Sequence, residues 1–410
     1  MHLSARSPCT ALCKLVVAAL ALAGGPACGD PGSGDGGRGD SSGAVEDSGP
    51  QEGSSGVHAD DTVSASDGAE SGGVDGSGGA DSSGDGSTGT TGDGPGCPAI
   101  PSCAAPPPNP GPNMPWQDSQ SYLVAASGGP THRGRDMFYN PGDEQWVLAK
   151  FAYGATDWDL EGERIDLFLL RECGDDWEAL GSIDTTYESN PHATVEGVED
   201  TGGRVYFSIP AASALGLGRH RVHMIVRGDG TSADAFIEIV EPGTPIVVSD
   251  IDGTLTTYET EEFVALLSGA TPDVNPHAPE ALAALVAHGY RPMYLTARPE
   301  FLGARTQEFV VERGLPPGIV HTTLNFTGAL GSAATGYKLT ELTELAARGL
   351  VPSWGFGNTS SDGDAYEAAS IAPVDHRVFF QYDDTHGGRR IEDYAELVAE
   401  FEALPDVCMP

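Results

Sequence analysis

Lysine is almost missing from this chain: Lys14, Lys150 and Lys338 are the only three. Lysine and arginine together number 21 against 60 acids, a formal net charge of −39. A surface so short of positive charge excludes binding to nucleic acid, which needs basic patches. It also excludes electrostatic docking on anionic lipid. Long apolar runs are lacking too. The longest, Leu15–Ala23, follows Arg6 and Lys14 and is too short to span a bilayer. No cysteine pair has the C-x-x-C spacing of a zinc site. From Gly29 to Gly96 apolar residues are nearly absent, and Gly, Ser, Asp and Thr dominate. Such a segment cannot bury enough surface to offset its ordering entropy, so a flexible linker is expected. That linker holds fourteen acids against the single Arg38, so the rest of the chain is strongly acidic as well.

Residues 1–28 read as an export signal. Gly25-Pro26-Ala27-Cys28 resembles a bacterial lipobox, with Gly25 where the motif usually has Leu or Val. That resemblance implies lipidation at Cys28 and a membrane-anchored lipoprotein, periplasmic or at the cell surface. Cleavage after Ala23, giving a secreted protein, is the alternative. Residues 29–118 are linker, Gly/Ser/Asp-rich and then proline-rich. Cys97, Cys103, Cys173 and Cys408 form an even set in an exported chain and predict two disulfides. Of three connectivities, proximity and elimination favour Cys97–Cys103 with Cys173–Cys408.

Residues 119–243 carry strand signals at 146–151, 164–170, 205–209, 220–226 and 235–240, separated by turn residues such as Gly228-Asp229-Gly230. Short strands at this spacing predict an all-β, sandwich-like domain. His220 and His223 fall on opposite faces of one strand and are not expected as co-ligands. This domain is either a binding or positioning module or a structural pedestal.

From 244 to 410 strands and helices alternate, with a helix expected over 261–267 and a closing helix over 391–404, which predicts an α/β domain with a parallel sheet. The richest segment is Val247-Val248-Ser249-Asp250-Ile251-Asp252-Gly253-Thr254-Leu255-Thr256. Alternation sends Asp250 and Asp252 the same way past the strand's C-terminal end. Open α/β sheets bind ligands at such ends. One carboxylate can attack, the other can move a proton, and a divalent cation can hold them together. Further on, Thr296-Ala297-Arg298-Pro299 ends a strand, and its hydroxyl can bond a phosphoryl oxygen or cap the next helix. Arg298 can add a phosphate contact or pair with a surface acid. Lys338 precedes a helix predicted over 339–347. Gly355-Phe356-Gly357-Asn358-Thr359-Ser360-Ser361-Asp362-Gly363-Asp364-Ala365-Tyr366 follows the last core strand. Asp364 is either an outer partner of the site or a charge at a helix N-terminus.

These four segments, in this order, are similar to the four motifs of the haloacid dehalogenase superfamily of phosphatases. SDIDGTLT and G-N-x-x-x-D-x-x-A-Y look most like its lipin-type (LNS2) phosphatidate phosphatases. The resemblance covers about residues 246–402. It implies a Rossmann-like parallel sheet, uncapped, because Thr254–Thr296 leaves no room for a large cap. It also implies a Mg²⁺-dependent phosphomonoesterase that forms diacylglycerol from phosphatidate. Asp250 would be the nucleophile and Asp252 the general acid and base. Thr296, Lys338, Gly253 and Thr254 would hold the phosphate. Asp250, Asp252 through its carbonyl, Asp362 and Asn358 would form the metal site. The alternatives are a phosphatase for a soluble or glycan-linked phosphate outside the cell membrane, and a non-catalytic lipid-binding lipoprotein. A phospholipid or other phosphomonoester is the expected substrate, and an N-terminal lipid anchor the expected membrane partner.

Overall fold

The computed structural model describes residues 96–257 and 270–408. The export signal, Cys28, nearly all of the Gly/Ser/Asp-rich linker and a helix predicted over 261–267 lie outside the described residues. Among the described residues no helix is long and apolar enough to cross a membrane.

The proline-rich segment from residue 98 has no helix or strand up to residue 115. It lies extended against the β-rich half: Trp177 Nε1 donates to the Pro106 carbonyl at 2.8 Å and the Met114 amide to the Arg227 carbonyl at 2.7 Å. This course corrects the expected disulfides. Cys97 pairs with Cys408, and Cys103 with Cys173. An extended chain gains about 3.3 Å per residue, so six residues carry Cys103 well away from Cys97. Cys103 lands beside the turn that holds Cys173, while Cys97 meets the returning C-terminal segment.

Helix α1 (Ser121–Ala125) opens the β-rich half. Strands β1 (Arg133–Arg135), β2 (Met137–Tyr139) and β3 (Trp146–Lys150) follow, then the short pair β4 (Ala152–Tyr153) and β5 (Trp158–Asp159). Next come β6 (Arg164–Leu170), β7 (Trp177–Asp184), β8 (Arg204–Ser208), β9 (Gly218–Val226) and β10 (Ser232–Ile239). One sheet has the order β1-β3-β8 and the other β2-β10-β9-β6-β7. In β6, Ile165, Leu167 and Leu169 are buried while Arg164, Asp166 and Phe168 are less so, the period of two that a one-sided sheet requires. Those leucines join Val147, Phe151, Val205, Val222, Met224 and Ile237 in one core between the sheets.

The α/β half contains β11 (Ile246–Ser249), α2 (Ala278–Ala287), β12 (Arg291–Leu295), α3 (Gly303–Glu312), β13 (Ile319–His321) and α4 (Ser332–Ala347). It ends with β14 (Pro352–Gly357), α5 (Ser360–Ala368), β15 (Arg377–Phe380), β16 (Arg389–Ile391) and α6 (Ala395–Phe401). Its six strands are all parallel, in the order β13-β12-β11-β14-β15-β16. β11 is buried along its whole length, as expected of a central parallel strand. Val247 enters the core on one face with Leu282, Leu285, Tyr294 and Phe401. Ile246 and Val248 enter the other with Met293, Leu342 and Leu345. Phe138 and Val240 of the β-rich half join this second cluster. The described residues of both halves belong to one compact unit.

Three predicted boundaries shift. Helix α4 starts at Ser332, so Lys338 lies inside it and not before it. The motif beginning at Gly355 starts within β14, not after it. The closing helix, predicted over 391–404, gives its first residue to β16 and keeps Ala395–Phe401.

Candidate active site

Asp250 follows β11 directly, between β12 on one side and β14 on the other, where the strand order reverses. Crevices at this point of an open parallel sheet receive ligands. The Asp250 amide donates to the Phe356 carbonyl at 2.9 Å, so β14 fixes the backbone at the strand end. Lys338 reaches in from the second turn of α4. Its Nζ donates to Asp250 Oδ1 at 2.6 Å and to Asp362 Oδ1 at 2.5 Å. All three side chains are buried. Leu342, one turn further, packs with Ile246 and Val248, so the face of β11 that carries Asp250 is the face α4 covers.

Burial pushes the Asp250 carboxyl up to about 7; Lys338 opposes that rise, and Asp362 and Asp252 reinforce it. Burial alone would lower the Lys338 ammonium, but Asp250 and Asp362 outweigh it and hold the group above its ordinary value. Asp362 is also a helix cap. Its Oδ2 accepts from the amides of Asn358 and Thr359, both at 3.1 Å, and from the Thr359 hydroxyl at 2.8 Å. This capping arrangement makes the start of α5 fix the carboxylate's direction.

Of the three site aspartates Asp252 is the most open, its side chain 30% exposed. Thr296 Oγ1 donates to its Oδ2 at 2.8 Å, and Arg298 Nε reaches both oxygens at 2.9 and 3.1 Å. The same Thr296 hydroxyl accepts the Arg298 amide at 3.2 Å, a turn that ties the two together. Arg298 is buried, and its partner is this site aspartate and not a surface acid. Thr254 is buried, with its hydroxyl 3.3 Å from Asp250 Oδ2 and 2.9 Å from Asn358 Oδ1. Gly253 has φ of 73° and gives its amide to Thr256 Oγ1 at 2.9 Å. Both therefore shape the loop. Asp364 points outward beside His386, at 3.8 Å.

Every predicted site residue among the described ones lies at this one strand end. Two further residues, Asn275 and Tyr394, carry no local signal in the sequence, and a third, Tyr366, stands out only within a motif. Asn275 Nδ2 donates to the Thr254 and Thr256 carbonyls at 2.7 and 3.0 Å. Tyr394 donates to the Thr254 carbonyl at 3.1 Å. Tyr366, noticed only as part of a motif, donates to the Phe356 carbonyl at 2.7 Å.

Asp250 and Asp362 turn one oxygen each toward a single positive point, the Lys338 ammonium. Hard oxygen donors of this kind fit Mg²⁺ in type. Among the described residues no group of three or more His, Cys, Asp or Glu side chains gathers as a metal cluster. A cation here would complete its shell with carbonyl or amide oxygen and water, as Mg²⁺ commonly does.

Residues 130–239 match the family model described as "PITM 1-3, beta-sandwich domain", and residues 247–380 match "PITM 1-3, LNS2 domain". The chain carries a beta-sandwich domain followed by an LNS2 domain. Protein retinal degeneration B of Drosophila melanogaster is 26% identical over 291 residues, covering 70% of this chain and 21% of that protein. Membrane-associated phosphatidylinositol transfer protein 2 of Homo sapiens is 26% identical over 267 residues, covering 64% and 18%. The chain thus spans 18–21% of the length of these two relatives. A class C acid phosphatase from Bacillus anthracis overlaps 29% of this chain and 54% of its own at 15% identity, with a TM-score of 0.23, too slight to carry an argument.

Proposed function

We propose that the LNS2 domain hydrolyses a phosphomonoester through an aspartyl-phosphate, on a haloacid dehalogenase-like sheet, with phosphatidate as substrate. The observation that carries this reading is the pairing at the β11 end: Asp250 against Lys338, and Asp252 held by Thr296 and Arg298. In the first half-reaction an Asp250 carboxylate oxygen bonds to phosphorus as the ester P–O bond breaks. Asp252 gives its proton to the leaving alkoxide, which departs as diacylglycerol. Asp252 then takes a proton from water, the hydroxide bonds to phosphorus, and the P–O bond to Asp250 breaks. Lys338 offsets negative charge at the nucleophile. Arg298 and Thr296 orient Asp252. Mg²⁺ would be held by Asp250, the Asp252 carbonyl and Asp362, with Asn358 nearby, and would neutralise charge on the phosphoryl oxygens.

Support for a lipid substrate comes from the relatives named as phosphatidylinositol transfer proteins. Those names also favour the second reading, a domain that binds lipid without turnover. Export with lipidation at Cys28 belongs to the same proposal, and two disulfides suit an oxidising compartment.

The deciding measurement is phosphate release from dioleoyl phosphatidate by the full chain, with and without Mg²⁺, beside Asp250→Asn. Metal-dependent release, lost in the variant, is the expected result. Release from soluble aryl phosphate alone would remove the lipid. Binding to phosphatidate vesicles without release from any ester would select the second reading. The mass of the mature N-terminus in the same preparation, compared with Cys28→Ser, tests the anchor.

A further inference from the structure

The sandwich meets the LNS2 domain with buried charge. Arg133 and Arg135 stand two apart on β1, so alternation sends both the same way. Arg133 donates to Glu300 Oε2 at 3.1 Å. Arg204, the first residue of β8, closes a fork on the same carboxylate at 2.8 and 3.0 Å. Arg135 donates to Glu341 Oε1 at 2.7 Å, and His321 meets the other oxygen of Glu341 at 2.6 Å. Glu300, Glu341, Arg133 and Arg204 are all buried.

The two carboxylates occupy telling positions. Glu300 lies two residues after Arg298 and four after Thr296, in the turn that holds Asp252. Glu341 lies on α4 three residues after Lys338, just under one turn of helix. Each sandwich contact therefore grips a segment that delivers a side chain to the strand end. Attachment alone does not call for charge, because buried ion pairs are often no more stabilising than apolar contacts of the same volume. A bidentate fork does fix direction, and apolar packing does so less sharply.

We propose that the sandwich is a positioning module for the candidate active site. Arg204 and Arg133 set the 296–300 turn through Glu300, so that Arg298 and Thr296 meet Asp252. Arg135 sets α4 through Glu341, so that Lys338 meets Asp250. The kinetic part of this proposal rests on the phosphomonoesterase reading; the mechanical part does not.

The test uses the full chain with Arg204→Met, Arg204→Lys and Glu341→Gln. Arg133 still faces Glu300 in the Arg204 variants, which keeps part of the charge compensation. Turnover of an aryl phosphate should fall about 10- to 100-fold in Arg204→Met with KM little changed, the cost of a small misplacement near the chemistry. Arg204→Lys should recover part of it. Hydrogen exchange should lose protection at residues 296–302 in the Arg204 variants and along α4 in Glu341→Gln, while β6 and β9 keep theirs. Unchanged turnover and unchanged local protection in folded variants would reduce the sandwich to a pedestal. Protection lost evenly through both domains would also overturn positioning. If the wild-type chain releases phosphate from no ester, the functional reading fails and the exchange pattern alone decides the coupling.

Discussion

Lys338 stands between Asp250 and Asp362, and one ammonium cannot neutralise two carboxylates. The excess negative charge is one reason the Asp250 carboxyl rises, after burial itself. Lys338→Met keeps the volume and removes the one cation that, among the described residues, touches both acids. Stability should fall by about 3–5 kcal/mol, the usual cost of stranding a buried charge. Urea unfolding measures this, and a loss under about 1 kcal/mol would mean the pair is open to solvent. At this scale the sequence is most legible where chemistry and a strand end coincide. Asp250, Asp252 and Thr296 follow strand ends within three residues, Lys338 and Asp362 lie in the first turns of helices, and Lys338 is one of only three lysines. Asn275 and Tyr394 are as close to the site, yet they act through backbone carbonyls 19 to 140 residues away. No local pattern announces such a bond.

Strand β1 shows what the elements hide. It is three residues long, without an apolar run, and the sequence offers no strand signal for it. Its middle residue, Gly134, pairs with Ala149 of β3 and lies against β10. A Cβ there would come within 2.2 Å of the Asp234 carbonyl oxygen and 2.6 Å of Ala235 Cβ. Gly134→Ala should therefore cost about 1–3 kcal/mol or more, because both obstacles belong to a packed strand. A variant with an unchanged melting temperature would show that the two sheets can part freely at this point. Longer strands are legible: β3, β6, β9 and β10 alternate or carry β-branched runs, and their ends fall within three residues of the pattern. The first turns of α4 are not, since Ser332-Ala333-Ala334-Thr335-Gly336 includes residues that favour loops as readily as helix. Packing of Ala334 and Lys338 decides the matter there.

Across the whole molecule, the two carboxylates at the domain boundary set an acid limit. Burial alone would raise both, but Arg133 and Arg204 hold Glu300 near 2, and Arg135 with His321 holds Glu341 near 2. Both values lie below the ordinary 4.5, so their contribution is complete above pH 4.5 and fades as pH falls toward 2. Each shift corresponds to something on the order of 3 kcal/mol. Unfolding midpoints compared between about pH 6 and about pH 3 should drop steeply in the wild-type chain and less so in Glu300→Gln. Equal slopes would place the acid sensitivity elsewhere. The domain order and the parallel sheet were legible from composition and periodicity. The contact surface between the domains was not, because Arg133, Arg135 and Arg204 look the same in a sequence whether they face water or another domain.

The Cys97–Cys408 bond adds a mechanical consequence. It closes a covalent ring between cysteines 311 positions apart, and every described strand and helix lies inside it. A pull applied between the residue before Cys97 and the residue after Cys408 runs through one sulfur–sulfur link. The sheets within the ring carry none of that tension, and a single reducing event would transfer all of it to them.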